Sequence, residues 1–326
     1  MVTRPIQYFF AFKHLEDPAI KKGVPRVRFE YNVTVVRSPT HILNVFTRFA
    51  VSIGKEVRHH KILRGPFSGM AYDGRQRIED IDDDERVVYF DPFKIKKITG
   101  TRLAPILGKG DFQTPFAVAL DLAGIYREDV KTKYIEAGNI LEPVLRSHMR
   151  KNVSSLVPLL GLPDGSKAVI EEPVPGEMCG YDHFHNENVF GGLVDGYVAV
   201  DGKRNSVLEI KTSGEREKWQ DENGGYTNVA EHYMLQASLY AELSGLDRIV
   251  FLVGFLDDAD YDRPKLWTPS EDNTKIIIKK KLDMAPYMKE AADWYNEYMK
   301  NGLTPEWTDA DKDLVKYLKA YKPGKR

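Results

Sequence analysis

The stretch from Gly191 to Thr212 constrains this chain most, because it holds two runs of strand character separated by one turn. Gly191-Gly192-Leu193-Val194-Asp195-Gly196-Tyr197-Val198-Ala199-Val200 reads as the first strand and Asp201-Gly202-Lys203-Arg204-Asn205 as the turn. Ser206-Val207-Leu208-Glu209-Ile210-Lys211-Thr212 reads as the antiparallel partner. With the turn centred near Gly202, Asp195 falls opposite Glu209, and the two-residue period of a strand places Lys211 on the same face as Glu209. Leu208 and Ile210 then face the core. Two carboxylates side by side repel unless a cation joins them, and hard oxygen ligands suit magnesium or manganese. Such a cation would activate water and stabilise charge on a phosphodiester, with Lys211 orienting or helping to deprotonate the nucleophile. The same three residues would also serve as a solvated sheet face with cross-strand ion pairing. The hairpin by itself leaves both readings open.

Composition narrows the chemistry around that hairpin. Forty-seven basic and 48 acidic residues among 326 give a net charge of −1, so no global positive field announces a polyanionic partner. A neutral chain can still bind nucleic acid through a basic groove set in an acidic outer surface. One cysteine, Cys179, excludes a disulfide framework within the chain, a four-cysteine iron-sulfur cluster and a cysteine-based zinc site. It reads as a small filler in a reducing compartment. No apolar run approaches the roughly 18 residues of a membrane span, and the N-terminus lacks a charged-then-apolar signal layout. The expectation is a soluble protein located in the cytoplasm.

Residues 1–90 read as a β-rich extension of unknown role, and 91–326 as the main domain. Val27, Phe29, Tyr31, Val33 and Val35 alternate with polar residues, the mark of a half-buried strand. Ser38-Pro39-Thr40 reads as the cap of a helix through Ile42, Val45, Phe46 and Phe49, with a further strand at Arg86 to Phe90. The acidic run Glu79 to Glu85 reads as a solvated loop, and His59-His60 lacks a third ligand at metal spacing. Helices are predicted near Ile98 to Gly108, Thr114 to Gly124 and Tyr134 to Asn152, with Pro143 at a bend or in a first turn. Strands are predicted at Ala168 to Glu172, Ile249 to Phe255 and Ile276 to Lys281. Val229 to Leu243, closed by Gly245, and Met284 to Asn301, with Trp294 and Tyr298 on its apolar side, complete the helices. This order describes an α/β (α+β) sandwich with a mixed sheet.

Four of these segments recur in a known order: Ile98-Thr99-Gly100-Thr101, then Gly138-x-x-x-Glu142-Pro143, then Asp195 with Glu209-x-Lys211, then Gln236-Ala237-Ser238-Leu239-Tyr240. Together they resemble the PD-(D/E)XK nuclease superfamily and, within it, the lambda-exonuclease-like, YqaJ-type viral recombinase nucleases. The likeness spans residues 90 to 260 or so. It implies a restriction-endonuclease-like core with a mixed central sheet flanked by helices. It also implies Mg2+, with Mn2+ as a substitute, held by Glu142, Asp195, Glu209 and the carbonyl of Ile210, with Lys211 as catalytic lysine and Gln236 as support from the downstream helix. Tyr233 and Tyr240 share that helix face, where packing explains them as well. In the lambda-type enzymes an arginine lies about two turns before the small hydroxyl residue that helps bind a 5′-phosphate. Thr101 fills the hydroxyl position here, but Lys94 stands where the arginine is expected, and lysine lacks the planar fork. Lys96, Lys97 and Arg102 are the possible substitutes, and the same residues also read as a basic surface.

The resemblance implies a 5′-to-3′ exonuclease on double-stranded DNA, a single-strand annealing recombinase as partner, and a homo-oligomer. Two other readings stay open: an endonuclease on the same core, and a catalytically inactive nuclease-fold DNA-binding protein, against which the intact Glu142, Asp195, Glu209 and Lys211 set argues. Lys316, Lys319, Lys322, Lys325 and Arg326 read as a solvated tail or as contacts to DNA phosphates.

Overall fold

The structure is a computed structural model that describes residues 27–33, 45–52, 77–80, 85–90, 96–110, 113–123, 132–173, 182–300 and 304–315, the first four segments by backbone only. Lys94 and the C-terminal basic stretch lie outside the described residues, as do Cys179 and His59-His60. The chain divides into two compact units, Met1–Lys96 with Gly110–Glu128 and Ala292–Arg326, and Lys97–Lys109 with Asp129–Ala291.

The first unit contains a four-stranded antiparallel sheet of β1 (Val27–Val33), β2 (Val45–Ser52), β3 (Arg77–Asp80) and β4 (Glu85–Phe90), in the order β1-β2-β4-β3. Residues 45–49, expected in a helix, instead form strand β2, which pairs with β1 on one side and β4 on the other. Their Val and Phe content suits a strand as well as an apolar helix face, and the pairing available on both edges decides the outcome. Glu79 and Asp80 of the acidic run belong to β3.

The second unit holds the hairpin. Its helices are α1 (Gly100–Ile106), α3 (Lys133–Lys151), α4 (Leu156–Leu159), α5 (Glu231–Leu243) and α6 (Asp258–Asp262); α2 (Pro115–Leu122) belongs to the first unit, and α7 (Ala285–Trp294) crosses the boundary. A five-stranded mixed sheet runs in sequence order: β5 (Ala168–Glu171), β6 (Gly196–Val200), β7 (Lys203–Ser213), β8 (Arg248–Phe255) and β9 (Thr274–Lys280). All neighbours are antiparallel except β7 and β8, which are parallel and joined by a crossover through α5.

Side chains alternate faces along a strand, and both faces of this sheet are covered. On one side Leu208, Ile210, Val250 and Leu252 pack with Leu141, Leu145 and Met149 of α3 and with Leu156. On the other, Val207, Ile249, Phe251 and Val253 pack with Ala237, Tyr240 and Ala241 of α5. Leu208 and Ile210 are core residues, as expected, and the opposite face is core as well.

Three sequence signals fix the flanking helices. Thr132 caps α3 by accepting the Ile135 N–H at 3.2 Å. Pro143 sits inside α3, not in its first turn, and is exposed. At the end of α5, Gly245 takes φ +67°, and Leu246 N–H reaches back to the Ala241 carbonyl at 2.8 Å, a glycine-terminated C-cap. The buried stripe at the C-terminal helix is Ala291, Tyr295 and Met299, with Trp294 and Tyr298 half-buried beside it.

Candidate active site

The first strand of the hairpin is shorter than its sequence suggests. β6 starts at Gly196, because residues 191–195 leave the ladder and Gly192 takes φ +139°. The register Gly196↔Leu208 and Tyr197↔Val207 carries the pairing back so that Asp195 lies across from Glu209. The Asp195 Oδ2 accepts the Ile210 N–H at 2.7 Å.

Glu209 is 1 % exposed and sits on the sheet face that α5 covers. Its Oε1 accepts from Lys211 Nζ at 2.6 Å and from Gln236 Nε2 at 2.6 Å. Its Oε2 is buried with no hydrogen-bond partner among the described residues. A solvated sheet face is therefore excluded for this glutamate, whose ion pair with Lys211 is buried. An ionised carboxylate oxygen left bare in the interior costs several kcal/mol by order of magnitude, so the geometry calls for a positive group.

Lys211 Nζ also lies 3.3 Å from Gln236 Oε1 and 4.9 Å from the centroid of the Tyr233 ring, which itself stacks on buried Trp219. Burial opposes the lysine charge, but the carboxylates of Glu209 and Asp195 outweigh it and hold the ammonium above its ordinary pKa. Asp195 moves the other way. Burial, then the charge of Glu209, pushes its carboxyl up to about 8, with Glu142 adding and Lys211 opposing. Only with Asp195 ionised as well is the cluster short of one positive charge.

The structure thus brings Asp195, Glu209, Lys211 and Gln236 together. Glu142 is placed differently: its Oε1 accepts from Arg146 Nη2, one helical turn along α3. Among the described residues no three His, Cys, Asp or Glu side chains stand close enough together to hold a metal ion, so Glu142 is not gathered into a preformed cage. Sequence reasoning missed Arg146 and Glu172, whose only signal was charge near the Glu142 helix and at the end of β5. It also missed what Tyr240 does: its phenol accepts the Gly100 N–H at 3.2 Å, and burial drives its pKa far above the ordinary tyrosine value.

Of the residues expected to meet a DNA phosphate, Thr101 is exposed on α1, with its Oγ1 3.1 Å from that of Thr99. Arg102 donates to the Lys97 carbonyl at 3.1 Å, and Lys97 donates to Asp182 at 2.6 Å and to the Phe184 carbonyl at 2.9 Å. Lys96, in the other unit, pairs with Asp121 at 2.6 Å. The lysines and Arg102 are thus engaged within the protein.

A half-buried carboxylate, a buried carboxylate oxygen without a hydrogen-bond partner and an adjacent lysine are presented by a hairpin under a glutamine-bearing helix on a mixed α/β sheet. Residues 90–247 match the YqaJ-like viral recombinase domain. The chain is similar to the uncharacterized protein MG373 of Mycoplasma genitalium, 24 % identical over 263 residues that cover 69 % of this chain and 87 % of that protein. It is also similar to the MG373 homologue of Mycoplasma pneumoniae, 25 % identical over 275 residues covering 71 % and 92 %. A solved neighbour is the alkaline exonuclease LHK-Exo of Laribacter hongkongensis, 16 % identical with a TM-score of 0.41, covering 70 % of this chain and 93 % of that one.

Proposed function

We propose that this protein is a divalent-metal-dependent deoxyribonuclease that degrades double-stranded DNA from the 5′ end, as in phage recombination. The observation that carries the reading is the buried Glu209 carboxylate, its Oε2 bare, across from Asp195 and bonded to Lys211. The match of residues 90–247 to the YqaJ-like viral recombinase domain supports it. Residues 91–326 act as the nuclease domain in this reading, with 1–90 an extension to it.

Asp195 and Glu209 would hold Mg2+ or Mn2+, helped by the Ile210 carbonyl, and Glu142 would organise the site from α3. When bound, the cation supplies Lewis-acid stabilisation of charge on the phosphodiester. Lys211, kept protonated by its two carboxylate neighbours, donates to the attacking water or a non-bridging phosphate oxygen and fixes the line of attack. Gln236 donates to Glu209 and faces the Lys211 ammonium, tying the pair to α5. Thr101, exposed on α1, would offer its hydroxyl to a terminal 5′-phosphate, with Arg102 beside it in sequence; a part for Lys94, which lies outside the described residues, rests on the sequence alone. A single-strand annealing recombinase and further copies of this chain are the proposed partners.

The test is digestion of a linear duplex labelled at its 5′ or 3′ end, beside a covalently closed circle, with Mg2+ or chelator, for the unaltered chain, Lys211→Ala and Asp195→Asn. Stepwise loss from the 5′ end, an intact circle and inactive folded variants are expected. A cut circle would make the protein an endonuclease, and no cleavage at all would leave a DNA-binding protein.

A further inference from the structure

Arg146 follows Glu142 by four residues on α3, a spacing that by itself leads one to expect a surface ion pair. Its side chain is instead 8 % exposed and serves three segments at once. Nη2 donates to Glu142 Oε1, Nη1 to Glu172 Oε1 at 2.6 Å, and Nε to the backbone carbonyl of Asp195 at 2.9 Å. Glu172 follows β5 and is itself fixed by Arg150, whose Nη2 donates to its Oε2 at 2.7 Å. The guanidinium is anchored at one end and carries part of the site at the other.

The contact to Asp195 has particular weight. Asp195 stands one residue before β6, where the ladder no longer sets the backbone. Its carboxylate is fixed by the Ile210 N–H and its carbonyl by Arg146 Nε, so two hydrogen bonds replace the missing strand pairing. A guanidinium does this because its donors form a rigid planar fork, so one acceptor's position constrains the others.

We propose that Arg146 is a positioning residue for the cation site, its fork setting the backbone of Asp195 and the carboxylate of Glu142 and thereby the affinity of the site for a divalent metal. The proposal rests on the metal-site reading given above. Two roles for this arginine predict opposite signs. A mere positive charge beside the site repels a second cation, so its removal would tighten metal binding. A brace that orients ligands does the reverse: losing such outer partners weakens metal affinity or activity about 10–100-fold.

The experiment titrates Mn2+ into the full-length chain, following the free-ion electron paramagnetic resonance signal, for the unaltered protein, Arg146→Gln and Arg146→Lys. The metal dependence of duplex digestion is measured in parallel. Both variants are expected to bind Mn2+ about 10–100-fold more weakly, the lysine included, because it keeps the charge and loses the fork. The metal concentration for half-maximal cleavage should rise by the same factor. Unchanged or tighter Mn2+ binding in a folded variant overturns the proposal, and so does full rescue by lysine. Where the glutamine variant fails to fold, the lysine variant decides. If the unaltered chain binds no Mn2+, the metal-site reading falls together with this inference; if it binds and the variants match it, this inference falls by itself.

Discussion

Asp195 shows how one carboxyl can make a site and weaken the fold that holds it. Its folded-state pKa is pushed up from 3.8 to about 8 by burial and by Glu209. The folded chain therefore keeps a proton that the unfolded chain has released, and the associated stability is present at low pH and lost as pH rises toward 8. With metal chelated, the melting temperature of the unaltered protein should fall across pH 3.8 to about 8 relative to Asp195→Asn, and added Mn2+ should restore it. Parallel melting curves for the two proteins would mean that Asp195 is not held neutral. Gln236 gives a second prediction, since it donates to Glu209 and faces the Lys211 ammonium. Gln236→Ala should lower turnover about 10–100-fold while the chain stays folded, and a wild-type rate would remove Gln236 from the machinery. The sequence revealed that Asp195 and Glu209 oppose each other, because a turn and a two-residue period suffice for that. It could not reveal that Glu209 is buried, since strand alternation says which residues share a face and not whether a second layer covers it.

Between elements, the site depends on how closely α1 approaches α5. A Cβ on Gly100 would lie 2.5 Å from Gln236 Cγ and 2.9 Å from the Tyr240 ring, and one on Gly192 would lie 2.6 Å from the Tyr240 hydroxyl. Gly100→Ala should displace Gln236 and cut turnover about tenfold or more with a smaller effect on melting; unaltered turnover would mean that α1 does not seat Gln236. Gly192→Ala adds a positive φ that side chains resist, so it should cost about 1–3 kcal/mol, read from a urea midpoint. The elements themselves were largely legible. α3, α5 and β7 to β9 form near their expected positions because caps, apolar runs and a terminal glycine mark them. In the sequence β2 reads as part of a helix because Val45, Phe46 and Phe49 fit either period, and only strands distant in sequence decide between them. Arg146 was invisible for a related reason: a basic residue four positions after a glutamate looks like ordinary surface charge until Asp195 and Glu172 are brought to it.

At the scale of the second unit, the candidate site is assembled from parts distant in sequence: Glu142 and Arg146 on α3, Asp195 before β6, Glu209 and Lys211 on β7, and Gln236 on α5. No single supersecondary unit carries it. The two apolar layers, one between the sheet and α3 and the other between the sheet and α5, are what hold α3 and α5 against β7. A cavity in either layer should therefore weaken fold and site as one. Leu145 is fully buried in the α3 layer, one residue from Arg146, and its δ-carbons would lie 3.1 and 3.2 Å from a Cβ on Gly254 of β8. Leu145→Ala should cost about 2–5 kcal/mol, the range for a buried leucine whose surroundings relax only in part. If catalysis needs the whole unit, the denaturant midpoints for cleavage and for tertiary structure should move down together in this variant. A cleavage midpoint well below the unfolding midpoint would instead identify α3 as an element that loosens before the sheet, and the Arg146 contacts would then be the first part of the site to open.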